Sequence, residues 1–183
     1  MKLQKAIGTD DHVRGTAEAG VTLVEYGDYQ SPLCCEAYYM VRALQAEMGA
    51  QLRFVFRNFP LPTIHPFAEY AALAAEAAGA QGHFWEIHDF LFENPGASEN
   101  GQLLTYARSI GIEGKRFERE ISKHHYAERL REDIRSGIES GVNGTPTFFL
   151  DGVRHEGIWN FETLLTALNA VLSGCDAPNR LQP

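Results

Sequence analysis

The densest chemistry in the chain lies in five consecutive residues, Ser31-Pro32-Leu33-Cys34-Cys35. A hydroxyl stands three positions ahead of two thiols. At a helix N-terminus, unpaired N–H groups and the macrodipole favour a thiolate over a thiol. Serine is far too weak an acid to respond in the same way. Ser31 is also a natural N-cap and Pro32 a natural first helical residue, because the cap oxygen accepts an N–H and proline has none. Cys34 and Cys35 each have a plain alternative as small buried hydrophobes. They are poorly placed to pair with each other, since adjacent helical side chains diverge by about 100° and a disulfide needs Cβ atoms about 3.5–4.5 Å apart. The third cysteine, Cys175, falls in a polar tail and reads as an incidental thiol.

Upstream, Glu25 interrupts the apolar run VTLVEYG, where a carboxylate is costly unless hydrogen-bonded or protonated. A buried functional acid is expected there. The histidines do not suggest a metal: His124 and His125 diverge, and His83 and His88 are five apart, not the four that aligns ligands on a helix. His65, before a proline, reads as structural. No metal site is expected. The glycines of Gly141-Val142-Asn143-Gly144 feed a proline-led strand, so they form a turn, not a phosphate cradle.

The elements that must position these residues can be read from periodicity. Residues 21–28 read as a buried strand ending in a loop. Residues 32–48 carry Leu33, Ala37, Met40, Val41, Leu44 and Met48 at helical spacing. Residues 51–58 alternate Leu52, Phe54 and Phe56 against Arg53, Val55 and Arg57, a strand with one wetter face. Three prolines in 59–66 mark a linker. Helices are expected at 68–78, 83–93, 98–110, 114–123 and 125–140, the last with Glu128, Arg129, Arg131, Glu132 and Asp133 on its wet side. A hairpin of 146–150 and 153–156, turning at Asp151-Gly152, precedes a closing helix at 160–172. The tail from Ser173 is expected to fray.

The 183 residues suffice for one well-buried core, so a single domain is expected over 1–183. A formal charge of −8 disfavours nucleic acid and anionic lipid as partners. No unbroken apolar run long enough to span a membrane occurs, and the first 15 residues lack the apolar stretch of a secretion signal. With a native N-terminus, the expectation is a cytoplasmic protein with no membrane partner.

Three stretches, in order, resemble the DsbA-like family of thiol–disulfide oxidoreductases: VTLVEYGDYQSPLCCEAY (21–38), FVFRNFPLPTIHPFAEYAALAAEAAGAQGHFWEIHDFLF (54–92) and GVNGTPTFFLDGV (141–153). The resemblance implies an α/β thioredoxin-like fold, βαβ then ββα, with an all-helical insertion between the halves. The thioredoxin part would span about 14–62 and 141–173, and the insertion about 63–140. It also implies roles. Glu25 falls on the family's buried proton-relaying acid, Cys34 on its resolving cysteine, and Pro146 on its cis-proline, with Thr145 before it. Together with Pro32 and Leu33, Thr145 and Pro146 would contact substrate, namely protein or peptide thiols and disulfides. Ser31 falls on the attacking cysteine.

That departure blocks the ordinary two-electron cycle, because serine cannot form the mixed disulfide that a second thiol resolves. Four readings stay open. The chain is an oxidoreductase of this family whose nucleophile was replaced. Alternatively, Ser31-Pro32 works like the Ser-Pro helix start that it resembles in kappa-class glutathione transferases and related isomerases, with glutathione as co-substrate and no other cofactor. A third reading has Cys34 or Cys35 exchanging alone, and a fourth a peptide-binding module without catalysis.

Overall fold

The computed structural model describes residues 1–99 and 101–174; Cys175 and most of the tail lie outside the described residues. The chain runs β1 (His12–Arg14), β2 (Val21–Gly27), α1 (Pro32–Met48), β3 (Leu52–Asn58), α2 (Ala68–Gly79), α3 (Phe84–Glu93), α4 (Gln102–Ser109), α5 (Gly114–Ser122), α6 (Ala127–Glu139), β4 (Thr147–Leu150), β5 (Val153–Arg154) and α7 (Phe161–Leu172). This is the βαβ, helices, ββα order expected from the sequence, with a five-stranded sheet in the order β1-β3-β2-β4-β5.

Two compact units emerge. One holds Met1–Tyr26, Glu36–Arg57 and the chain from Ser136 onward; the other holds Gly27–Cys35 and Asn58–Arg135. We call them the sheet unit and the helical unit.

In the sheet unit, β4 runs antiparallel to β2, with Glu25 opposite Phe148 and Tyr26 opposite Thr147. The β4–β5 turn needs two residues at positive φ, and Asp151 (φ 43°) and Gly152 (φ 78°) supply them. Asp151 also accepts the Thr22 N–H at 2.7 Å through its Oδ1, fastening the turn to β2. The closing helix α7 starts with a reciprocal capping box between Asn160 and Thr163.

The strand β1 is not signalled by the sequence. Its three residues pair antiparallel with Phe54–Phe56 of β3 and are too few to show alternation. The expected wetter face of β3 is wet only at half-buried Arg53; Val55 and Arg57 are fully buried. The Arg57 guanidinium meets both Asp11 carboxylate oxygens, at 2.8 and 3.0 Å, and donates to the Lys5 and Ala6 carbonyls and the Tyr26 hydroxyl. A charge in the interior is tolerated when paired and fully hydrogen-bonded, and a strap from the chain's first residues provides both.

The helical unit contains α2–α5 and most of α6. Ala71, Ala72, Ala74, Ala75, Ala77 and Ala78 of α2 are buried, as small side chains allow in a closely packed helix. On α6, Asp133 is fully buried, not on the wet side. It accepts the Asn58 backbone N–H at 3.0 Å and pairs with Arg129, while the Asn58 amide donates to Glu76 at 2.8 Å. Burial pushes the Asp133 carboxyl up to about 6; Arg129 works against that shift and Glu76 adds to it.

Candidate functional site

The motif sits at the start of α1, in the helical unit. Ser31 is buried, and its Oγ accepts the Cys34 N–H at 3.3 Å while its carbonyl accepts the Cys35 N–H at 3.0 Å. This is the N-cap geometry expected, with Pro32 as first helical residue. The buried stripe of α1 begins at Cys34, which has no exposed surface, and not at Leu33, which is 51% exposed. The Cys34 Sγ accepts the Asp28 N–H at 3.4 Å, and the Cys35 thiol, half-buried, donates to the Phe92 carbonyl at 3.5 Å. Neither cysteine is in a disulfide. Within 31–35, only Pro32 and Leu33 present exposed side chains.

The loop that presents the motif is held by residues the sequence reading did not select. Asp28, itself buried, accepts the Gln30 N–H through Oδ1, and its Oδ2 meets the Leu61 N–H and His65 Nδ1, each contact at 2.8 Å. Gln30 accepts the Phe67 N–H. The Tyr29 hydroxyl lies 3.1 Å from Nδ1 of buried His88, and its ring packs 4.9 Å from that of Phe92. The linker of three prolines therefore does more than connect. Its Leu61 and His65, with Phe67 just after it, grip the turn that carries Asp28 and Gln30. No sequence signal linked the acid at the end of the strand to a histidine 37 residues on, in a segment with no regular structure of its own.

The other expected site residues lie in the sheet unit. Glu25, on β2, is buried, its Oε1 has no hydrogen-bond partner, and burial pushes its pKa up to about 8. At neutral pH it is a carboxylic acid holding a proton. The Thr145-Pro146 peptide bond is cis, just ahead of β4, and the Thr145 Oγ1 is buried without a partner. The Thr147 hydroxyl closes the preceding turn by donating to the Gly144 carbonyl at 2.7 Å. The structure thus groups Ser31, Pro32, Leu33, Cys34 and Cys35 in one unit and Glu25, Thr145 and Pro146 in the other.

Chemically, the motif offers a capped helix N-terminus whose first position cannot carry a thiolate, followed by a sheltered thiol. Among the described residues no cluster of three or more His, Cys, Asp or Glu side chains could hold a metal ion, and no helix is long and apolar enough to cross a membrane.

The thioredoxin family model Thioredoxin_4 matches residues 8–170. Among solved structures, a thioredoxin-like oxidoreductase from Silicibacter pomeroyi DSS-3 superposes with a TM-score of 0.79 at 26% identity, covering 91% of this chain and 94% of that one. Oxidised BdbD from Bacillus subtilis gives 0.80 at 23% identity, covering 90% and 94%, and shares the fold. A protein of Salinispora arenicola named Na(+)/H(+) antiporter NhaA 1 is 43% identical over 173 residues, 94% of this chain. The match spans only 26% of that protein's length. On the family match, which runs through nearly all of its length, the chain belongs to the thioredoxin family.

Proposed function

We propose that this chain is a DsbA-like thiol–disulfide oxidoreductase domain whose S-P-L-C motif is disabled at its first position, so that dithiol turnover is weak or absent. The observation that carries the reading is the Ser31 cap. Its Oγ meets the Cys34 N–H at the head of α1, where a redox-active motif of this kind would hold its attacking sulfur. Cys34 alone is a poor substitute because it has no exposed surface. Cys35 diverges from it on the helix and forms no disulfide with it. Protein or peptide thiols and disulfides are the proposed partners, with exposed Pro32 and Leu33 as contacts. Glu25, protonated in its apolar strand, is the acid to which the family resemblance assigns proton relay.

The test is insulin reduction by the native chain and by Ser31→Cys. Turnover gained by the variant supports the proposal; a variant as inert as the native chain sinks it.

The antiporter relatives favour a further element of this reading. A segment matching 94% of this chain occupies 26% of a protein named as a Na(+)/H(+) antiporter, which suggests that domains of this kind work beside a transporter. Sodium-driven proton exchange by the Salinispora arenicola protein, with and without the matching segment, checks this. Transport and its response to thiol reagents unaltered by the deletion would count against it.

A further inference from the structure

We infer that the helical unit contains a second binding site, a cleft for a small organic cation with an apolar body. The cleft has a volume of about 500 Å³, within the size range of small-molecule pockets. Its floor is Leu73 of α2 with Phe117 and Ile121 of α5, all buried. Tyr70, 40% exposed, contributes an aromatic wall. Glu69 and Glu118, both exposed, stand among the lining residues, which include no lysine or arginine.

The charge pattern selects the ligand class. Burial, and after it the Glu118 carboxylate, raises the Tyr70 phenol's pKa, so the negative charge is felt at that ring. An ammonium lying over the aromatic face in a cleft lined by these carboxylates gains from both kinds of group, while its hydrocarbon part covers the floor. An anion of the same shape meets repulsion there, reinforced by the chain's formal charge of −8. Arg108 does reach Glu118, at 3.3 Å, but both side chains are more than half exposed, and a pair of that kind is weak enough to yield to a better-placed cation. Ser122 and His124 complete the rim with polar groups suited to a ligand's substituents. The site uses none of the motif residues, so it stands or falls independently of Ser31.

The test is a calorimetric titration of the full chain with phenethylammonium, phenylacetate and 2-phenylethanol, which share an aromatic body and differ in charge. Phenethylammonium is expected to bind saturably at about millimolar Kd, at least about tenfold tighter than the other two. The double variant Glu69→Gln/Glu118→Gln, checked for unchanged melting, is expected to lose that tenfold preference while keeping weak apolar binding. Absence of saturable phenethylammonium binding overturns the inference. So does equal affinity for the three probes, or a preference for the cation that survives the double substitution.

Discussion

Ser31 caps α1 well, and under the proposed function it also removes thiol chemistry from the head of that helix. Its oxygen satisfies a backbone donor that would otherwise be unpaired in a buried setting. Ser31→Ala is therefore expected to cost about 1 kcal/mol in urea unfolding, the ordinary worth of such a cap. A loss well above that would mean the hydroxyl has further partners. Cys34 is a different case. Its sulfur is shielded because Asp28 holds the loop closed over it, receiving three contacts and donating its own N–H to the thiol. Asp28→Ala should loosen that loop and speed Cys34 labelling by a disulfide reagent at least about tenfold, since opening governs access to a buried thiol. Unchanged labelling would show that the shelter comes from elsewhere. Ser31 as a helix cap, Cys34 as a buried thiol and Glu25 as a buried acid were legible from residue type and position. Asp28 and His65 were not, because a carboxylate and an imidazole 37 residues apart announce nothing until a loop brings them to 2.8 Å.

At the scale of elements, periodicity served well where a helix or strand has one clear apolar face and poorly where polar groups are buried. The spans of α1, β2 and α7 follow their patterns closely. Arg57 and Asp133 broke the rule that charge marks a wet face, each because a distant backbone or acid meets it. The alternation in β3 thus concealed the feature that fixes the chain's first residues to the sheet. Asp11→Ala leaves the Arg57 guanidinium buried without its carboxylate and should destabilise the protein by about 3 kcal/mol, as when one partner of a buried pair is removed. Chemical denaturation measures this directly, and a change near zero would mean that Arg57 is held by its carbonyl and hydroxyl contacts alone. Strand β1 escaped notice for a simpler reason: three residues form no pattern, and their place is set by the pairing with β3.

For the whole molecule, two buried acids set the response to pH. Glu25 is raised by burial to about 8 from an ordinary 4.5, and Asp133 to about 6 from 3.8. Between each ordinary value and the raised one, the folded chain binds more protons than the unfolded chain. The stability these groups allow is full below their ordinary values and is lost as pH rises through the raised ones. Unfolding free energy should therefore fall from mildly acidic pH towards pH 8, and Glu25→Gln should flatten the upper part of that fall. At neutral pH the variant should gain about 3 kcal/mol over the native chain. A slope that survives the substitution would assign the effect to other groups.

The motif itself permits the most direct measurement. Oxidise the native chain and Ser31→Cys under the same glutathione buffer and map intramolecular disulfides by mass spectrometry. The account predicts a bond between residues 31 and 34 in the variant and none between Cys34 and Cys35 in the native chain. A native Cys34–Cys35 disulfide, or a variant that leaves both thiols free, would contradict it.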